Sequence, residues 1–182
     1  MSSARGVLYV IVCGTLAARD VGKLVGLAQA DGWDVCVVAT PQALNFIDRA
    51  ALEAQTGHPV RYEYKQPDTA DVLPPPEAIV LGGASFNTIN KWASGIADTL
   101  ALGILNQAIG LRLPVVVLPF LDAALAAHPA FEHSVQVLRR AGVTVLLGPE
   151  LYQPQAPGTG PQVLGSYPWQ AAMAALERQQ GG

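Results

Sequence analysis

Ala78-Ile79-Val80-Leu81-Gly82-Gly83-Ala84-Ser85-Phe86-Asn87-Thr88 is the stretch that decides the fold. Ala78 to Leu81 is a short apolar run, the pattern of a strand buried on both faces. It stops at Gly82-Gly83-Ala84-Ser85, small residues that suit a tight strand-to-helix turn, and a long helix is expected over roughly Asn87 to Ile109.

The same unit recurs on either side. Val7 to Val12 is rich in β-branched residues and ends in Cys13-Gly14-Thr15, and a helical pattern runs from Ala17 to Ala30 before Gly32, a residue suited to the left-handed position that closes a helix. Val35 to Ala39 is a second strand. Thr40 and Pro41 then suit the cap and first turn of a helix reaching about Gln55. Val60 to Tyr64 reads as a short third strand and Gln66 to Pro76 as a loop rich in proline and acid. Val115 to Leu118, a helix over Ala123 to Ala141, and a strand over Val143 to Leu147 complete the series. Strands alternating with helices imply βαβ units: a doubly wound, parallel, Rossmann-like α/β sheet in three layers. The reading is one domain over 1–182. Gly148 to Pro168 would be a flap-like loop, and 169–182 a tail whose Trp169 to Gln179 forms a short helix.

Apolar residues make up 51% of the 182 and charged residues 14%, so the chain can build a sizeable core. So little charge points to apolar surface shared between subunits, or else to an alanine-rich helical surface. A net charge of −3 without a basic run argues against nucleic acid and anionic membranes as partners. Cys13 and Cys36 read as buried thiols of a reducing compartment, and no run approaches a membrane span or a signal-peptide layout, so a cytoplasmic protein is expected.

Ligands of open parallel sheets bind beyond the carboxyl ends of the strands. Here those ends carry Gly14-Thr15, Thr40, Ala84-Ser85 and Pro119-Phe120. Three of them precede helices whose free N–H groups favour a phosphate, and Thr15, Thr40 and Ser85 add hydroxyl groups. Such residues are also common at any βα turn. No Lys or Arg sits at these turns, and the dinucleotide and P-loop fingerprints are absent, which disfavours an ordinary NAD or ATP site.

Ala84-Ser85-Phe86-Asn87-Thr88-Ile89-Asn90-Lys91-Trp92-Ala93-Ser94-Gly95-Ile96-Ala97-Asp98 resembles a segment of the homo-oligomeric flavin-containing cysteine decarboxylases, A-S/T-A-N-T-x-x-K-x-A-x-G-I-x-D-N-L-L, with Phe86 and Thr99 as the clear departures. Val10 to Ala18, Val37 to Thr40 with Ala43 and Phe46, and Pro114 to Pro119 resemble further blocks in family order. The resemblance implies non-covalent FMN held between subunits of a homotrimer or a larger trimer-based assembly. It places Gly14, Thr15, Leu16 and Thr40 near the ribityl phosphate, Ser85, Phe86, Asn87 and Thr88 along the ribityl chain and ring edge, and Phe120 facing the ring.

The family's catalytic elements are missing. Its histidine position, sixteen residues before Ser85, holds Thr69, flanked by Asp68 and Asp71; threonine cannot move protons near neutral pH. His58 reads as a surface histidine. The family's P-x-M-N block reads Pro119-Phe120-Leu121-Asp122, so the asparagine that grips the substrate carboxylate is Asp122. Asp122 would repel a carboxylate, could pair with a cationic group, or could simply cap the next helix. The flap lacks the reducing cysteine of some members. His128 and His133 lack metal-ligand spacing and read as helix-surface or interface residues. Trp92 is expected to pack at a subunit contact.

Two functions fit. One is a divergent FMN-dependent decarboxylase or oxidoreductase acting on an unknown small-molecule or peptide substrate, with Asp122, Thr69 and Asp68 as polar candidates. The other is a non-catalytic FMN carrier, sensor or regulatory protein. A flavin prenyltransferase is disfavoured because basic residues are lacking in the pocket segments.

Overall fold

The computed structural model describes residues 5–181; residues 1–4 and 182 of the expected domain lie outside them. Five parallel strands form one sheet: β1 (Val7–Val12), β2 (Asp34–Ala39), β3 (Ala78–Ala84), β4 (Val115–Pro119) and β5 (Thr144–Val145). Their order is β2-β1-β3-β4-β5, with helices packed on the sheet, as the alternating pattern requires. Connections therefore diverge between β1 and β3. Such a divergence opens a crevice at the carboxyl ends of the strands.

Every residue of β3 is buried, which accounts for its lack of polar alternation. Its two glycines have separate causes. A side chain on Gly82 would stand 2.9 Å from the Trp169 ring, which lies on the sheet from the last helix, α8 (Trp169–Gln180). Gly83 has φ +62°, and a Cβ there would come within 2.8 Å of the Thr15 hydroxyl oxygen. The strand register shifts at this point, turning the chain towards Ser85.

The helix expected over Asn87 to Ile109 is two helices. The helices that precede it are α1 (Val21–Ala30) and α2 (Arg49–Thr56); it divides into α3 (Phe86–Ala93) and α4 (Leu100–Leu111). Gly95, at φ +72°, ends the first as its N–H bonds Trp92 O and Ile96 N–H bonds Lys91 O. Thr99 starts the second, its hydroxyl oxygen accepting the Leu102 N–H at 3.2 Å. Both signals stand in the sequence, but a helical apolar period running through them masks the break.

The helix expected over Ala123 to Ala141 is likewise divided, into α5 (Ala123–Ala126) and α6 (Pro129–Arg140). Pro129 disfavours helical backbone at His128, whose Nδ1 instead accepts the Ala130 N–H. The first turns after β1 and β2, Leu16–Asp20 and Pro41–Asn45, are 3-10 helices.

Val60 to Tyr64 forms no strand; a single bridge joins Arg61 to Val38 at the sheet edge. The strand expected over Val143 to Leu147 pairs only through Thr144–Val145. Between residues 148 and 168 the loop contains α7 (Gly160–Val163) and a 3-10 turn, Leu164–Ser166. Trp92 is 1% exposed within this chain's own core, so its ring is not available to a subunit contact. Cys13 and Cys36 are buried and unpaired.

Candidate functional site

Two adjoining clefts open at the carboxyl ends of the strands and share Gly14, the first beyond β1, β2 and β3 and the second beyond β1 and β4. The first, about 300 Å³, is lined by Thr40, Gln42, Ser85, Asn87, Thr88 and Lys91, with Thr99 and Leu102 across it. The second, about 420 Å³, runs past Thr15 and Leu16 to Phe46, Phe120, Asp122 and Gln155.

Local structure fixes the first cleft. The Ser85 oxygen accepts the Thr88 N–H at 3.1 Å and lies 3.1 Å from the Thr88 hydroxyl, capping α3 at the cleft wall. That cap leaves the amides of Phe86 and Asn87 free at the positive end of the helix. The Thr40 hydroxyl and the exposed Asn87 amide have no side-chain partner among the described residues. Lys91 follows Asn87 by four residues and so shares its helix face; its ammonium pairs with Asp98. Gly14 is tightly hemmed, since a Cβ there would lie 2.6 Å from that of Gln42.

The segment 148–168 forms the outer wall of the second cleft. Tyr152 places its hydroxyl 3.1 Å from both the N–H and the carbonyl of Leu121. Tyr167 donates to the carbonyls of Leu118 and Pro119 at 2.8 and 2.9 Å, and the Ala123 N–H bonds the Gln155 carbonyl at 2.7 Å. Phe120, 7% exposed, packs in a three-ring cluster with Tyr152 and Tyr167, whose own ring centroids lie 5.6 Å apart. Burial pushes both tyrosine hydroxyls above their ordinary pKa and leaves them neutral donors.

The Flavoprotein family model matches residues 2–163. The chain belongs to the Flavoprotein family. It is 30% identical over 148 residues to the coenzyme A biosynthesis bifunctional protein CoaBC of Mycolicibacterium smegmatis, an alignment covering 79% of this chain and 35% of that protein. The Escherichia coli protein of the same name is 28% identical over 156 residues, covering 82% and 37%. This chain thus spans about a third of the length of the curated relatives it matches. Among solved structures, the FMN-dependent cysteine decarboxylase SpaF superposes with a TM-score of 0.71 at 26% identity, covering 93% of this chain and 98% of its own. The FMN binding protein AtHal3 shares the fold, with a TM-score of 0.66 at 18% identity over 90% and 95% of the two chains.

Within this Flavoprotein chain, Gly14, Thr15, Leu16, Thr40, Ser85, Asn87, Thr88 and Phe120 all line one or the other cleft. Phe86 does not. Its ring turns towards α6, 5.7 Å from that of His128 and 6.2 Å from that of Phe131. Thr69 and Asp68 are exposed and border neither cleft; the Thr69 hydroxyl bonds the Gln66 carbonyl at 2.6 Å. Asp122 does line the second cleft, and one of its oxygens accepts the Leu125 N–H at 2.9 Å as the cap of α5. His58 bonds Asp34 at 2.8 Å, away from both clefts.

Lys91 is the residue that inspection of the turns missed. It lies a full helical turn beyond Asn87, and the i, i+4 spacing was the available signal. Gln155 had no such signal, because it reaches the site only through the fold of the flap. Among the described residues, no helix is long and apolar enough to cross a membrane.

Proposed function

We propose that this chain binds FMN across the two clefts and uses it in a divergent decarboxylase or oxidoreductase reaction. The observation that carries the reading is the convergence of Thr40, Ser85, Asn87, Thr88 and Lys91 on one cleft beside Gly14, at the point where strand order diverges. The donor set fits the cofactor. Free amides at the start of α3, the Thr40 hydroxyl and the Lys91 ammonium suit a phosphate, and Asn87 can donate to and accept from a flavin edge.

When bound, the flavin would supply the electron-accepting and electron-donating chemistry. The protein's part is to bind, orient and exclude water. Ser85 and Thr88 hold the turn, Lys91 offsets phosphate charge, and Phe120 and Leu16 give the second cleft apolar surface. The substrate, a small molecule or peptide, would enter that second cleft beside Asp122 and Gln155. A homotrimer or trimer-based assembly fits the low surface charge, with the exposed Leu111, Ile96 and Tyr64 available for contacts. Light scattering at micromolar concentration tests the assembly, and a stable monomer would remove it.

A specific observation favours a second reading, a non-catalytic FMN carrier, sensor or regulatory protein. Thr69 and Asp68 stand outside the clefts, and one Asp122 oxygen is held by the cap of α5.

The deciding experiment is an absorbance spectrum of the purified protein, reconstituted with FMN if colourless. Flavin bands that travel with the protein through gel filtration support the proposal. Reduction or turnover with candidate substrates then separates enzyme from carrier, and failure to retain FMN after reconstitution overturns both.

A further inference from the structure

The two clefts differ in charge. In the first, the free amides at the start of α3 favour an anion, and the one charged lining side chain, Lys91, is paired with Asp98. In the second, Asp122 is the only ionisable side chain among the lining residues, which include no Lys, Arg or His. The large side chains elsewhere in the lining are mostly apolar, Leu16, Phe46, Phe120 and Leu125, with Gln155 as the polar exception.

One Asp122 oxygen caps α5, while the other has no partner among the described residues. Helix capping does not require this charge, because asparagine caps equally well. What an aspartate adds at this position is an acceptor-only, negatively charged group beside an apolar cavity. A carboxylate entering the cleft meets a like charge with no cation in the lining to offset it. An ammonium there finds an acceptor whose second oxygen is free.

We infer that the second cleft selects a ligand carrying a protonated amine on an apolar body, and that Asp122 is the specificity-determining residue. The inference rests on the proposed flavin site only in treating this cleft as the substrate half. The charge argument itself uses no cofactor.

The test compares two probes of matched shape and opposite charge, 2-phenylethylamine and 3-phenylpropionate. Binding is measured by ligand-observed NMR on the wild-type protein with and without FMN, and in the loaded protein also by perturbation of the flavin spectrum. The amine is expected to bind at least tenfold more tightly than the acid, and Asp122→Asn, which keeps the cap, is expected to erase that ratio. Equal binding, binding of neither probe, or a preference that survives Asp122→Asn overturns the inference. Loss of FMN on gel filtration is a separate readout. An Asp122-dependent amine preference in protein that retains no flavin would sink the cofactor reading and leave this one standing.

Discussion

The Tyr152 hydroxyl lies 3.1 Å from the N–H and 3.1 Å from the carbonyl oxygen of Leu121, thirty-one residues earlier in the chain. This side chain ties the flap to the end of β4, next to Asp122. The ring also faces Phe120 and Tyr167, so the attachment is both polar and apolar.

Tyr152→Phe should therefore loosen the flap without emptying the core. The buried Leu121 N–H loses its acceptor, and the Leu121 carbonyl and the Gln155 side-chain oxygen lose the one hydroxyl proton they share, which costs about 1–3 kcal/mol. Chemical denaturation should show that loss, and limited proteolysis should cut faster within residues 148–160. Unchanged stability and protection would mean the hydroxyl contributes nothing.

Asn87→Ala should weaken flavin binding and leave stability alone. The side chain is exposed and makes no side-chain hydrogen bond within the described chain. One lost hydrogen bond of about 1 kcal/mol corresponds to roughly fivefold in affinity. Fluorescence quenching on FMN titration reads the change, and an unaltered affinity would count against the site.

Gly83→Ala should destabilise the turn between β3 and α3. The left-handed backbone costs alanine about 1–2 kcal/mol, and its methyl would crowd the Thr15 hydroxyl, which donates to the Gly83 carbonyl at 2.9 Å. The expected result is a lower denaturation midpoint together with weaker FMN retention. A variant as stable as the wild type would contradict the geometry.

Alkaline pH should destabilise the fold. Burial first, then the charge of Asp34, raises the Cys36 thiol from near 9 to about 12. Burial first, then Cys36 and Asp71, raises Tyr9 from near 10 to about 12, with Arg61 opposing. The unfolded chain loses these protons first, so the stability they contribute is fully present below about pH 9 and is lost as pH rises towards about 12. Urea midpoints should fall between pH 8 and pH 10.5, and less steeply in Cys36→Ala. A flat profile would show that these groups do not stay protonated in the folded state.

A cysteine-terminated peptide should yield no decarboxylated product by mass spectrometry. Thr69 cannot relay a proton and, with Asp68, stands outside both clefts. Efficient turnover would mean that a group other than Thr69 and Asp68 moves the proton.

The sequence by itself determined the parallel sheet, since the runs Val7 to Val12, Val35 to Ala39, Ala78 to Leu81 and Val115 to Leu118 are apolar stretches whose signal is local. Turn chemistry at Gly83 and Ser85 was equally legible, because backbone geometry acts on the residue itself, whereas Gly82 answers to the distant Trp169 ring. Only the tertiary structure decided where the long helices break, because Gly95, Thr99 and Pro129 compete with an apolar period that runs through them. The same holds for the site. Lys91 joins Gly14 and Thr40, Phe86 turns away to α6, and Gln155 comes to Asp122 through the flap, all by contacts between distant segments. Periodicity reports what a residue's neighbours in the chain prefer; which segments meet is set by the packing of the whole core, and that has no local signature.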